Sequence, residues 1–329
     1  MAKVLLTTLH PPTATWHQGR YELLRLSAEL SGGRKHQLTN DPEEADLILF
    51  SDEGPKPYLR SIRSSPLYRR YWRKCFVFDS EDKPIAFLPG VYASIEKCWH
   101  NRNWTRSGFY SHIAERSRFD FIPFRENAKW LYSFAGSCYH SRVRESLKQI
   151  KDPRFHLTDT SGKMIYIYRE DDQDDVAAYK EIVGDSKFVL CPRGVGCSSI
   201  RLFETMRMGR VPVILSDCWV ALEGPLWEKF SVRIAEADAH KLPSLLTSME
   251  PQAAEMAAMA RAQWEQWFGE AVLFETAVDW CLDIRAGGKC ESWLARWTKR
   301  LQYLRKDHFR NYLRIKWKNL LASRQAAAK

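Results

Sequence analysis

Residues 186–217 read SKFVLCPRGVGCSSIRLFETMRMGRVPVILSD, and this stretch decides the fold of the chain. Short apolar runs at residues 188–190 and 211–215 predict two strands, because such runs bounded by turn residues suit strands buried on both faces. Between them, a loop with two glycines leads into a periodic segment long enough for a crossover helix. The stretch therefore predicts a parallel βαβ unit and an α/β fold.

The loop at residues 192–199 lies where ligands of such units bind, because free N–H groups and the helix dipole favour anions there. Ser198 or Ser199 can cap the helix. Arg201 then falls in its first turn, where a positive charge opposes the dipole by about 0.3–1 kcal/mol. Such a break of a local rule tends to mark a site. We therefore interpret Arg201 as a fork of donors for a diphosphate, with Glu204 accepting from ribose hydroxyls.

The spacing of Arg201 and Glu204 leaves a second interpretation open. Arg201 and Glu204 share a helix face, and a surface ion pair between them would contribute about 0.2–0.5 kcal/mol and have no further role.

Three segments of this stretch, SKFVLCPRG, SSIRLFE and GRVPVILSD, resemble in order and spacing the carboxy-terminal signature of the exostosin family of glycosyltransferases, bacterial type. TNDPEEADLILF at residues 39–50 resembles a segment of the family's amino-terminal half. The resemblance is specific over residues 130–235 and looser over 1–130. It implies an inverting, nucleotide-sugar-dependent enzyme of the GT-B class, with two facing Rossmann-like domains.

The resemblance also implies site residues. It places Arg201, Glu204 and a Pro-Arg-Gly loop on the donor side, and a phosphate contact near a glycine turn that follows a strand at residues 130–135. The predicted donor site comprises Gly136, Ser137, Arg142, Arg193, Gly194, Ser198, Ser199, Arg201 and Glu204. Cys218 stands where the family commonly carries an acidic residue, so that position receives no role.

Composition sets independent bounds. A chain of 329 residues suits two domains, and 45% apolar with 27% charged residues is typical of a soluble globule. The first apolar run is too short for a signal peptide, and no run suits a membrane-spanning helix. The eight cysteines lack CxxC and zinc-ligand spacing. We therefore expect reduced thiols and a cytoplasmic protein.

The chain order predicts three parts: an amino-terminal Rossmann-like domain at 1–125, a carboxy-terminal Rossmann-like donor domain at 126–289, and a basic amphipathic helical tail at 290–329. Further strands are predicted at 3–7, 45–50, 75–78, 85–88, 130–135 and 155–158. Helices are predicted at 19–30, 141–150, 171–183, 239–249, 251–268 and 274–284, with Trp264, Trp267 and Trp280 as core anchors.

Inverting transfer needs a carboxylate from the first domain to take the acceptor's proton on the face opposite the leaving group. Acids that follow buried strands lie on the functional rim of an α/β sheet. The candidates are Asp79, Glu81, Asp82, Asp52 and Glu53. We favour Asp79 because it directly follows a strand. The alternative is that each of these residues is an ordinary surface acid. His10 and His17 are further candidates for acceptor contacts, or are structural.

Two aromatic and basic segments receive no catalytic role. We interpret residues 58–74 as a solvated helical face with buried ring contacts, and we expect loops and short helices at 100–121 to shape the acceptor groove. The tail at 290–329 has 11 Lys or Arg against two acids, a net charge of +9 out of +10 for the chain. Its apolar residues recur at helical spacing: Leu294, Trp297, Leu301, Leu304, Leu313, Trp317 and Leu320.

Three fates are open to this tail: packing against the enzyme, lying on an anionic membrane surface, or binding nucleic acid. Packing with peripheral membrane contact is favoured, and no nucleic-acid partner is expected because no binding module supports one.

The sequence thus predicts a glycosyltransferase of polysaccharide biosynthesis. It would move a sugar from a nucleotide sugar, UDP-linked, to a glycan or lipid-linked acceptor, without a metal or other cofactor. The alternatives are a catalytically silent GT-B-like nucleotide-binding module, and a basic scaffold that docks on membranes or RNA.

Overall fold

The computed structural model describes residues 1–9, 18–51, 62–110, 119–161, 173–288, 291–306, 308–309 and 317. These residues form two parallel β-sheets with helices against them. The first sheet has six strands in the order β2-β1-β3-β4-β5-β6, and the second has five in the order β11-β10-β9-β7-β8. The structure confirms the predicted α/β class with two Rossmann-like, GT-B-like halves.

The strands of the first sheet are β1 (Ala2–Thr7), β2 (His36–Leu38), β3 (Leu47–Phe50), β4 (Cys75–Asp79), β5 (Gly90–Tyr92) and β6 (Thr105–Ser107). Those of the second sheet are β7 (Trp130–Gly136), β8 (Phe155–Asp159), β9 (Ser186–Pro192), β10 (Val211–Leu215) and β11 (Val232–Ile234). The predicted boundary at 125/126 lies between the two groups.

The helices of the first half are α1 (Gln18–Ser31) and α2 (Pro66–Tyr71). Those that follow are α3 (Arg142–Ser146), α4 (Gln173–Gly184), α5 (Ile200–Arg207), α6 (Trp227–Phe230), α7 (Leu242–Met249), α8 (Ala253–Trp267), α9 (Leu273–Ala286) and α10 (Trp293–Thr298). A 3-10 segment, Lys299–Leu304, continues α10.

The unit β9-α5-β10 is the predicted βαβ unit. Its strands pair in parallel, with Val211 opposite Phe188 and Leu215 opposite Pro192. Every residue of β10 is buried, and so is every residue of α5 from Arg201 onward. Because α5 is covered on both sides by the sheet and by α8, its charged side chains are carried into the interior.

One apolar core joins the two sheets. Helix α9 lies within the predicted second domain but packs against α1, β5 and β6 of the first sheet. Phe109, from the first half, has its ring centroid 6.1 Å from that of Phe268 and 6.3 Å from that of Trp280. Trp264 and Trp280 are buried as predicted, and Trp267 is partly buried against the same core. The two halves therefore pack as neighbours at the carboxyl ends of their strands.

The strand predicted at 85–88 is wrong. The ladder partner of β4 begins at Gly90, which pairs with Val77. A side chain at Gly90 would meet the Val77 carbonyl oxygen at 2.0 Å, so glycine allows the close approach. Residues 85–88 supply apolar side chains to the core from an irregular loop. Strands β2, β6 and β11 escaped prediction because three residues are too few to show periodicity.

Two cysteines correct the expectation of eight reduced thiols. Cys197 and Cys218 form a disulfide with 5.6 Å between their Cα atoms. They follow the neighbouring strands β9 and β10, whose carboxyl ends the sheet brings together, whereas their 21-residue separation gives no signal in the sequence. The described cysteines at 75, 98, 138, 191 and 281 form no disulfide with one another.

Candidate functional site

Arg201 lies inside the protein with its guanidinium against the end of β7. Its side chain is 8% exposed, and its Nε donates to the Ala135 carbonyl oxygen at 2.5 Å. A side chain at Gly136 would meet Arg201 Nη2 at 2.3 Å, so the group lies directly beside that glycine. Among the described residues, none accepts a hydrogen bond from its two terminal nitrogens. These nitrogens are therefore free to bind an anion.

Arg144 brings a second buried guanidinium to the same place. Ser141 caps α3 and accepts from the Arg144 backbone N–H at 3.4 Å, which puts Arg144 in the first turn. Its Nη2 donates to the Pro192 carbonyl and its Nη1 to the Ser137 carbonyl, both at 3.2 Å. These bonds fix the guanidinium between the glycine turn after β7 and the loop after β9.

The two arginines form a like-charge pair. The Cζ atoms of Arg144 and Arg201 lie 5.5 and 5.2 Å from the ring centroid of Phe134. Burial, then the positive charge of Arg201, lower the pKa of Arg144 to about 9. Within the described part of the chain, no carboxylate forms an ion pair with either group. Such a pair is costly unless an anion neutralises it, so the arrangement fits a diphosphate.

Arg142, predicted to share the donor site, lies elsewhere. It is exposed and lines a separate cavity with Glu236 and His240. Arg144 was not singled out for the site, although the sequence held a signal for it. Like Arg201, it is a basic residue in the first turn of a helix that follows a strand and a glycine.

The serine hydroxyls of the loop correct the predicted cap. Ser199 is the N-cap of α5 by position, but its side chain makes no capping hydrogen bond. Ser198 and Ser199 are 4% and 6% exposed, and neither hydroxyl oxygen has a partner among the described residues. Buried polar atoms are nearly always hydrogen-bonded. Two unpaired hydroxyls beside Arg201 therefore indicate a polar ligand.

Glu204 is also buried, and it does not pair with Arg201 on the surface. Its Oε2 accepts from the Tyr179 hydroxyl at 2.9 Å, and its Oε1 has no partner among the described residues. Burial raises the pKa of Glu204, and the charge of Arg201 opposes that shift. The surface ion pair left open by the spacing is therefore wrong, and one carboxylate oxygen remains free to accept from a ligand.

The Pro-Arg-Gly loop joins this cluster through its backbone. Ser141 Oγ donates to the Arg193 carbonyl at 2.8 Å, and a side chain at Gly194 would meet Arg144 Nη2 at 3.1 Å. The Arg193 guanidinium is engaged elsewhere, because its Nε donates to Glu236 Oε1 at 2.6 Å. Arg193 thus positions the loop, and its charge is balanced by an acid.

The first sheet supplies the opposite wall. Ser94 Oγ accepts from the backbone N–H groups of Cys197 and Ser198 at 2.7 and 3.2 Å. A side chain at Gly196 would meet Ser94 Oγ at 2.3 Å and the Asp82 carbonyl oxygen at 2.5 Å. Asp82 is exposed, and its charge raises the pKa of Arg144, opposing the effect of burial. Asp82 therefore faces the loop across the contact between the two halves.

The other acid candidates lie differently. Asp79 is 1% exposed and its Oδ1 accepts from the Glu81 backbone N–H at 2.7 Å, so it orders the turn after β4. The Glu81 side chain is partly buried in that turn. Asp52, Glu53, His10 and His17 lie outside the described residues.

A family model described as the exostosin GT47 domain matches residues 73–249, more than half of the chain. The chain belongs to the exostosin GT47 family. The match runs from the residues before β4 to the end of α7, so it contains Asp82, the arginine pair and the loop between β9 and α5.

Individual proteins of known sequence match parts of the chain. Exostosin-1 of Drosophila melanogaster is 28% identical over 171 residues, which is 46% of this chain and 22% of that protein. The Exostosin-1 homolog of Caenorhabditis elegans is 40% identical over 82 residues, 24% of this chain and 22% of that protein. The probable glucuronoxylan glucuronosyltransferase IRX7 of Arabidopsis thaliana is 31% identical over 119 residues, which is 35% of this chain and 23% of that protein. The matches span less than a quarter of each relative.

Solved structures also match at low identity. HepE of Anabaena in complex with UDP is 11% identical, with 85% of this chain and 99% of that chain covered and a TM-score of 0.43. A glycosyltransferase from Rickettsia africae is 8% identical, with 86% and 98% covered and a TM-score of 0.41.

Proposed function

We propose that this family member is an inverting glycosyltransferase that moves a sugar from a UDP-sugar to a hydroxyl group of a glycan or lipid-linked acceptor. The observation that carries the proposal is the buried pair of Arg144 and Arg201, which has no ion-pair partner among the described residues. Membership of the exostosin GT47 family supports the reaction class.

The donor would bind chiefly through its diphosphate. Two guanidinium groups match its negative charge, and each hydrogen bond between charged groups is stronger than a neutral one. The hydroxyl groups of Ser198 and Ser199 would donate to phosphate oxygens, and Glu204 Oε1 would accept from a ribose hydroxyl. In this placement the donor supplies a hydrogen-bond partner to each buried oxygen of the site that has none among the described residues.

Transfer would be a direct displacement at the anomeric carbon. The acceptor oxygen forms the new bond as the bond to UDP breaks, and Arg144 and Arg201 stabilise the charge that develops on the departing diphosphate. Because fixed positive charge already stands there, we propose that no divalent metal is needed.

Asp82 is the base we propose in place of Asp79. It comes from the opposite half, as attack on the far face of the sugar requires, and it is exposed whereas Asp79 is buried. Its carboxylate would take the acceptor's proton as the new bond forms.

Two assays test the proposal in sequence. A thermal-shift screen of nucleoside diphosphates should show a rise in melting temperature with UDP, since mass action stabilises the form that binds. UDP-sugars are then incubated with candidate glycan acceptors, with and without EDTA, and UDP release is measured. We expect acceptor-dependent release that EDTA leaves unchanged. Binding without any donor consumption would identify a silent module, and no nucleotide binding would contradict the proposed site.

A further inference from the structure

The aromatic and basic segment 58–74 and the basic tail meet in the structure. Arg63 and Trp72 from the first half line a cavity of about 520 Å³ together with Trp293, Trp297 and Arg300 from the tail. More than two hundred residues of sequence separate the two groups. Their convergence makes one aromatic and cationic surface.

This surface lies away from the site proposed for transfer. Pro89 and Trp104 also line the cavity, and they directly precede β5 and β6. They therefore lie at the amino ends of these parallel strands. Asp82 and Ser94 follow β4 and β5 at the carboxyl ends, where they contact the loop between β9 and α5. The cavity and this contact therefore lie at opposite edges of the sheet.

Polar contacts fix the tail against the first half. Lys299 is 2% exposed, and its Nζ donates to the Ala86 carbonyl oxygen at 2.8 Å and pairs with buried Glu291. Arg305 donates to both carboxylate oxygens of Glu96, at 2.5 and 2.7 Å. Residues 291–305 therefore pack back on the protein, one of the fates expected for the tail.

The apolar side chains of this segment face outward. Trp293, Leu294 and Leu304 are 75%, 62% and 72% exposed, and Trp297 and Leu301 are about half exposed. Their spacing of three or four residues puts them on one side of the helical segment 293–304. The usual arrangement is inverted at Lys299, whose charged group packs inward. An exposed apolar patch of this kind marks an interaction surface.

We propose that this outward face, Trp293, Leu294, Trp297, Leu301 and Leu304, docks on an anionic lipid membrane. Charge complementarity selects that occupant, because Arg63 and Arg300 are exposed beside it and residues 290–329 carry +9. Tryptophan and leucine opposite lysine and arginine are typical of segments that lie in the bilayer interface. The two arginines of the cavity would hold a lipid phosphate.

The contact lies in the plane of the membrane surface. Over the ranges that the structure describes, no helix has the length and apolar character to cross a bilayer. This inference extends the proposed function by naming the surface that brings a transferase to a lipid-linked acceptor, and it is measured without reference to donor binding.

Vesicle flotation tests the docking. The full chain is mixed with vesicles of phosphatidylcholine alone, or with 30 mol% phosphatidylglycerol, at about 0.1 M salt. We expect binding to the anionic vesicles that decreases with added salt. Leu294→Asn with Leu304→Asn should lower the partition constant at least about tenfold, because two apolar side chains leave the interface. Arg300→Gln should lower it about fivefold.

Leu30→Asn is the matched control, since Leu30 is 48% exposed on α1, outside the tail. It should float like the wild type, and all variants should keep the wild-type melting temperature and UDP-induced shift. Failure to bind anionic vesicles, equal binding to neutral ones, or equal loss in Leu30→Asn would overturn the docking proposal. Binding of an anionic oligosaccharide to the free protein would instead assign the cavity to a glycan, if Trp297→Ala abolished that binding. Loss of the UDP shift with normal flotation would count against the donor site alone.

Discussion

The hydroxyl of Tyr110 donates to Asp82 Oδ1 at 2.9 Å and lies 3.5 Å from the carbonyl oxygen of Ser198. Burial raises the pKa of Tyr110 well above its usual range, so the phenol keeps its proton and remains a donor. Asp82 is thereby aimed at the loop that begins α5, which orients the acid we propose as base.

Asp82→Asn should lower kcat by about 10²–10⁴, the usual contribution of a general base, with little change in the donor KM. Initial-rate kinetics of UDP release measure both. Asp79→Asn is the comparison, because Asp79 is buried and bonded to the Glu81 N–H. We expect that variant to lower the melting temperature and to keep kcat per folded molecule. The reverse pattern would return the role of base to Asp79.

Gly136→Ala should abolish most UDP binding. A methyl group there would meet Arg201 Nη2 at 2.3 Å and Cζ at 2.6 Å, so the guanidinium must leave its position. Gly184→Ala is the control, because a methyl group at Gly184 meets Ile122 at an ordinary 3.5 Å. Calorimetric titration with UDP should show weak binding in the first variant and wild-type binding in the second. Wild-type affinity in Gly136→Ala would show that Arg201 does not contact the nucleotide.

Reduction of the Cys197–Cys218 disulfide should destabilise the loop before α5. Closing a loop of 21 residues stabilises by about 3 kcal/mol in the chain-entropy estimate. Dithiothreitol should therefore lower the melting temperature of the wild type by a few degrees. The melting temperature of the double variant, Cys197→Ser and Cys218→Ser, should not change. Mass spectrometry after alkylation counts the thiols. Full labelling of both cysteines without reductant would contradict the pairing.

The ion pair of Glu96 and Arg305 predicts a pH-dependent attachment of the tail. The hydrogen bond from Arg305 lowers the pKa of Glu96. A carboxyl group with a depressed folded-state pKa stabilises above its unfolded value of about 4.3, and this stabilisation is lost as the pH falls through the folded value.

Glu96→Gln should therefore lower the melting temperature at pH 7 and have a smaller effect near pH 3.5, because the wild type loses this stabilisation as the pH falls below about 4.3. Differential scanning calorimetry at both pH values measures the difference. Lys3→Gln, which removes a pair between exposed side chains at Glu44, should have little effect at either pH. An effect of Glu96→Gln that is as large in acid would mean that the carboxyl group acts by packing.

The sequence sufficed for features that local patterns encode. The apolar run of β10 was predicted to the residue, because a strand buried on both faces is apolar throughout. Arg201 stood out because its charge opposes the helix dipole, which is a local conflict.

The sequence could not predict features that depend on contacts between residues far apart in the chain. Arg144 is held by the carbonyl of Pro192, 48 residues away. The turn after β4 decides that Asp79 is buried while Asp82 is exposed, and no periodicity reports such a turn. The outward apolar face of the tail depends on Lys299 reaching the carbonyl of Ala86, 213 residues away.

Titration calorimetry with UDP on Arg201→Met measures whether Arg201 binds the phosphates of a nucleotide. Loss of a charged hydrogen-bond donor should weaken binding at least about tenfold. The unliganded variant should melt at or above the wild-type temperature, since one of two buried like charges is gone. Arg142→Ala, exposed on α3, should bind as the wild type does. Undiminished UDP affinity in Arg201→Met would show that Arg201 does not bind the phosphates.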